Sequence, residues 1–147
     1  MSRILVLIHL AAVIIWVGGM FFAHVCLRPV AAAQLQPSQR LPLLSAVLGR
    51  FFAIVGWALL LLWASGLARF SQVGAAIPGN WYAMVGIATV MTTLFGLIVL
   101  RFHHRMVAAV ADQNWPAAGA AMNAIRKLVL ANLVLGFANV AVAVLGW

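Results

Sequence analysis

Acidic residues are all but missing from this 147-residue chain. Asp112 is the only aspartate or glutamate, set against nine lysines and arginines for a formal charge of +8. With no carboxylate inside its apolar runs, the chain has no Ser-His-Asp constellation and no buried carboxylate relay for protons. The single cysteine, Cys26, excludes an internal disulfide framework. Also missing are a glycine-rich phosphate cradle, a transmembrane charge array of the voltage-sensor kind, a soluble domain, a long linker, a low-complexity tract and an internal repeat.

What fills the chain is apolar: 67% of its residues are hydrophobic, far outside the usage of a soluble domain. Four uncharged runs, residues 4–27, 51–68, 81–100 and 128–147, are each near the roughly 20 helical residues needed to cross a hydrocarbon core. They predict an all-α membrane protein, a four-helix up-down bundle forming one domain over residues 1–147, with helices at about 4–27, 51–68, 81–104 and 123–147. A cleaved signal peptide is the competing reading of the first run, which follows Arg3. The run is longer than an ordinary signal core of roughly 7–15 residues.

The placement of the cations argues against nucleic acid as the partner. Arg28, Arg40, Arg50, Arg101, Arg105, Arg126 and Lys127 flank the first and third connections, and only Arg3 and Arg69 lie on the other side. That asymmetry is a positive-inside signal. It predicts a bacterial-type inner membrane protein with both termini outside the cytoplasm, and some attraction to anionic headgroups. Arg28-Pro29 is expected to end the first helix, residues 43–49 to lie partly in the interface, and Pro116 to break a short surface helix from the fourth span.

Four histidines then need explaining. His9 lies well inside the first run and His24 near its inner end, separated by roughly 22 Å of helix. They cannot share one metal, although fifteen residues of ideal helix bring them to within roughly 60° of one direction. An ionisable group in a span is a functional candidate, while a neutral histidine can also act as interhelical glue. In an up-down bundle His9 falls near the depth of Met84, and His24 near that of His103 and His104. Met84 and Met91, seven apart, share a face that suits Cu(I), a haem axial position or plain core packing. Cys26 and His24, two apart, project from different faces. Asn132 and Asn139 share a face expected to point into the bundle and bond across it. The spans hold several glycines, which allow close helix approach.

The combination of His9, Trp16 and Gly19 in "IHLAAVIIWVGGMFF", Arg50-Phe51 leading to Ser65-Gly66, and Met84 with Met91 resembles the small CopD-domain membrane proteins. It is also similar to the HemJ-type protoporphyrinogen oxidases, which share a His-x6-Trp-x2-Gly first helix. The similarity runs through all four predicted helices. By resemblance, His9 matches a haem-associated histidine. Met84 stands near the place of the lysine that HemJ-type proteins carry early in the third helix. The CopD likeness implies copper handling, with His9, Met84, Met91, His24 and Cys26 as soft or borderline ligands.

Three expectations follow. The first is a b-type haem protein working in electron transfer or as a membrane oxidoreductase. His9 and Met84 are its axial candidates, Trp16, Gly19, Trp57, Trp63 and Phe95 lie near the porphyrin, and a quinone or small redox protein is its partner. A second haem between His24 and His103 or His104 would complete a path across the membrane. The second expectation is a copper-handling protein using the same donors. The third is a structural subunit without cofactor. Association into homo-oligomers is compatible with all three.

Overall fold

The computed structural model describes residues 3–146. Four long helices carry nearly all of them: α1 (Arg3–Gln34), α2 (Pro37–Val73), α3 (Gly79–Ala111) and α4 (Trp115–Leu145). At about 1.5 Å per residue they are roughly 47–55 Å long, and each is apolar enough to span a core of about 30 Å. The chain is therefore an all-α, multi-pass membrane bundle.

The helices run up and down. Early α1 meets late α2 where His9 reaches Ser65, early α2 meets late α3 where Gly49 packs beside His103, and early α3 meets late α4 where Asn80 reaches the Val142 carbonyl. One end of the bundle thus carries the α1–α2 and α3–α4 turns and seven cations, and is called the basic end. The opposite end holds Arg3, the α2–α3 turn and Leu145.

All four helices outrun the uncharged segments that announce them, mostly at the basic end. Arginine is a good helix former whose stem can lie along apolar surface while its head stays wet, so a charged residue marks the membrane boundary without ending the helix. Arg28-Pro29 accordingly does not stop α1. A wider π turn at Ala23–Leu27 precedes the proline, and the chain stays helical to Gln34. Such a turn accommodates a proline, which lacks the N–H and crowds the carbonyl four residues back. Residues 43–49 are likewise part of an unbroken α2. Pro116 sits in the first turn of α4, where a missing N–H costs nothing. The break is at residues 112–114 instead, with Gln113 at φ 53° and the Asn114 side chain accepting the Ala117 N–H at 3.2 Å.

The core is densest in the middle and toward the basic end. Val55, Ile98, Met106 and Ile125 are fully buried there, while Leu100, Trp57 and Phe22 face outward. This inversion suits lipid, which solvates apolar side chains as well as protein does, so the bundle is held by close fit and interhelical hydrogen bonds. Gly19 supplies one such fit: a Cβ there would overlap the Phe51 ring of α2, whereas a Cβ on neighbouring Gly18 meets nothing.

Adjacent glycines should therefore respond in opposite directions. Gly19→Ala is expected to cost about 1–3 kcal/mol by overpacking, and Gly18→Ala to be neutral or to gain up to ~1 kcal/mol by lowering backbone entropy loss. Thermal unfolding in one detergent reads both, and equal effects would show that the α1–α2 approach is looser than described.

Candidate functional site

Ser65 is where the local chemistry is tightest. A serine inside a helix returns its hydroxyl proton to a carbonyl one turn back, and Ser65 Oγ donates to the Leu61 carbonyl at 2.6 Å. A weaker share goes to Leu62 at 3.1 Å. With its only hydrogen used, the oxygen is left as an acceptor, and His9 Nδ1 stands 3.1 Å from it. The neutral imidazole consequently carries its proton on Nδ1 and a lone pair on Nε2. Gly66 lies alongside, with a Cβ position 3.5 Å from His9 Cε1, so a larger residue there would press on the ring.

His9 borders a partly open cavity of ≈ 230 Å³ that residues of all four helices line at the end opposite the basic one. A single water needs only about 10–15 Å³ on such a measure, so the space suits a larger guest. Val13 and Trp16 line it from α1, Trp63, Gly66 and Arg69 from α2, Met84, Ala88 and Met91 from α3, and Gly136 and Asn139 from α4. The walls are mainly apolar. Trp63 is fixed by an N–H bond of 3.1 Å to Thr92 Oγ1, which itself donates to the Ala88 carbonyl at 2.7 Å. Arg69 lies over the Trp81 ring at 4.9 Å, and Phe70 tilts against that ring at 5.3 Å.

α4 carries two asparagines; Asn139 lines the cavity, whereas Asn132 lies outside it with its own side-chain oxygen buried and unpartnered. Asn132 Nδ2 donates to the Met91 carbonyl at 3.1 Å, the interhelical bond that the shared face predicts. Asn139 keeps a buried side-chain oxygen without a hydrogen-bond partner at the cavity. Such an acceptor normally has a donor or an ordered water beside it.

The structure thus gathers His9, Trp16, Trp63, Met84 and Met91 around one space, as depth matching along antiparallel helices predicts. Met91 is nearly buried, and its terminal methyl lies 3.4 Å from where a Gly136 Cβ would stand, so packing accounts for that residue. Gly19 lies away from the cavity and receives Phe51. Trp57, 72% exposed, faces outward and cannot line the cavity, because its position on α2 turns away from the other three helices. Phe95 packs edge-on between Trp16 and Phe52.

The histidines of the basic end are dispersed. His103 Nε2 is bonded to the Ser45 carbonyl at 3.0 Å and the ring meets Phe52 edge-on at 5.2 Å, so its exposed-ligand character is spent on tying α3 to α2. His104 is exposed, Cys26 is exposed, and His24 retains a buried Nδ1 without a hydrogen-bond partner. Among the described residues, no three His, Cys, Asp or Glu side chains converge as a metal site. From the sequence, Arg69 counts only as one of two cations away from the basic end, Trp81 only as the first residue of the third uncharged run, and Asn139 only as an interhelical bond. Their common depth, computed from the short α2–α3 turn, is the signal that would have placed them at the cavity. Comparisons with protein-family models, curated proteins and solved structures find no match to this chain.

If Ser65 fixes the imidazole, nitrogen-detected NMR of histidine-labelled protein should find His9 as the Nδ1–H tautomer. Ser65→Ala should release it toward a mixture, with a loss of about 0.5–1.5 kcal/mol in stability. A predominant Nε2–H form in the unaltered protein would refute the assignment.

Proposed function

We propose that the chain is a membrane b-type haem protein, with His9 as principal axial ligand and Met84 as its mate across the cavity. The observation that carries this reading is the oriented imidazole. A ligating histidine characteristically donates its second ring N–H to a fixed oxygen, and Ser65 is that oxygen for His9. The resemblance of the first helix to HemJ-type proteins points the same way.

The donor set and the walls fit the group. Trp16 and Trp63 supply flat apolar surface, Gly66 leaves room beside the imidazole, and Arg69 brings a cation to the cavity of the kind that haem carboxylates pair with. A haem held there supplies one-electron chemistry, and a His/Met pair tends to raise its potential. The protein would act in electron transfer or as an oxidoreductase in a bacterial-type inner membrane, exchanging electrons with a quinone or a small redox partner. By the positive-inside rule the His9 cavity would then lie toward the non-cytoplasmic face.

Copper handling remains the second reading because His9, Met84 and Met91, an N/S/S set suited to Cu(I), border the same cavity. The seating of Met91 against Gly136 and the exposure of Cys26 leave fewer donors for that reading.

The test is the absorption spectrum of detergent-purified protein from haem-replete cells, oxidised and reduced, with metal content measured alongside. A Soret band and sharp reduced α and β bands are expected, lost in His9→Ala and changed in ligand-field character in Met84→Ala. A colourless protein holding stoichiometric copper would replace this reading with the second one. Binding of neither would leave a structural subunit.

A further inference from the structure

The seven cations of the basic end fall into two groups. Arg50, Arg101, Arg105 and Lys127 are exposed, as residues that only set topology or meet headgroups should be. Arg28, Arg40 and Arg126 are half-buried, and these three, from α1, α2 and α4, line one cavity of ≈ 430 Å³. Positive-inside bias accounts for the number of cations. It does not account for three helices turning one arginine each into a shared space, where like charges repel.

No acidic side chain of the described residues lies among them. The chain's single acidic side chain, Asp112, is exposed in the α3–α4 turn and is not part of the cavity wall. The remaining wall adds to the positive potential. Arg40 stands in the first turn of α2, and Gly119 and Ala120 in the second turn of α4, so the positive ends of two helix dipoles border the same space. Asn123 adds a side-chain amide. All three cations are arginines, whose planar fork binds phosphate oxygens in pairs.

We propose that this cavity is a binding site for a phosphate group, held by Arg28, Arg40 and Arg126. Depth favours a lipid as the source. Arg28 directly follows the uncharged run of α1 and Arg126 lies two residues before that of α4, which puts the guanidinium groups at headgroup level. Leu41, Leu44 and Met122 give the same cavity an apolar side against which a glycerol backbone or the start of an acyl chain can lie. A soluble phosphate or phosphate ester presents the same oxygens. The site is independent of the His9 cavity and of whatever that cavity holds.

The test uses the whole protein in neutral maltoside micelles, titrated with phosphatidylglycerol, phosphatidylcholine or inorganic phosphate, with binding read by native mass spectrometry and thermal shift. Phosphatidylglycerol should bind and stabilise. Arg28→Gln, Arg40→Gln and Arg126→Gln should each weaken it about tenfold or more, the equivalent of one lost charge-assisted bond. Arg50→Gln and Arg105→Gln, which remove the same charge from the same end, should change it less than about twofold. Arg40→Lys keeps the charge and loses the fork, so it should fall between, and it guards against a variant that misfolds. Protection by phosphatidylglycerol with none from inorganic phosphate assigns the site to lipid, and protection by inorganic phosphate at similar concentration assigns it to a soluble anion. Equal losses for cavity and exposed arginines, or no binding of any of the three probes, would overturn the proposal.

Discussion

Hydrocarbon offers a polar side chain neither a hydrogen bond nor a counter-charge, and the arrangement of this bundle follows from that constraint. Most polar side chains within the spans bond back to their own helix or across to a neighbour. Thr89, Thr92 and Thr93 bond the carbonyl four residues back, as Ser65 does. His9, Trp63, Asn132 and His103 reach across helices, so that α1 is tied to α2, α2 to α3, and α4 to α3. Interhelical bonds of this kind average only about 0.6 kcal/mol each, so the four together supply a few kcal/mol. Their main effect is to fix depth and rotation, while packing around Val55, Ile98 and Ile125 supplies most of the cohesion.

The same constraint makes the exceptions informative. Asn139 keeps an unpartnered buried oxygen at the His9 cavity, and three arginines converge at the opposite end without a carboxylate. Asn132 Oδ1 and His24 Nδ1 are likewise buried without a hydrogen-bond partner, so incomplete pairing is not confined to the borders of the two cavities. Between the cavities the interior is closed by aromatic packing. Trp16, Phe95, Phe52 and His103 follow one another edge-on, with ring centroids 6.3, 6.0 and 5.2 Å apart. This septum keeps each cavity a separate chemical environment, one mainly apolar and one strongly cationic.

Fold class was legible in the sequence because it rests on two coarse quantities, the length of the uncharged runs and the absence of acidic residues. Helix ends were less legible. Arginine and an early-turn proline are compatible with a continuing helix, and the backbone itself is interrupted at extended Leu35 and Gln36, at Gly74, with φ +68°, and at the Gln113 turn. The π turns at Ile14–Gly18, Ala23–Leu27 and Ile98–His103 were beyond pattern reading, since each departs from the 3.6-residue period used to assign faces. The pairing of His9 with the depth of Met84 survived because depth in an antiparallel hairpin depends on counting from turns. The grouping of His24 with His103 depended also on rotation about the helix axis, and His103 turns instead to the Ser45 carbonyl.

The three arginines show how a topological signal can conceal a local one. In sequence, nothing sets Arg28, Arg40 and Arg126 apart from Arg50, Arg101 and Arg105: all fall in or beside the first and third connections, where the positive-inside rule expects cations. Their difference is created by tertiary structure, because α1, α2 and α4 each extend past the uncharged segment and so carry these three arginines into a region where helices still touch. Had α1 ended at Pro29, Arg28 would have been a frayed terminal residue with only water and headgroups around it. The π turn that lets α1 pass its proline is therefore part of what builds the cationic cavity. Continuation of the helices beyond their uncharged segments turns scattered charges into groups that border one cavity, in a chain whose single acidic side chain lies outside that cavity's wall.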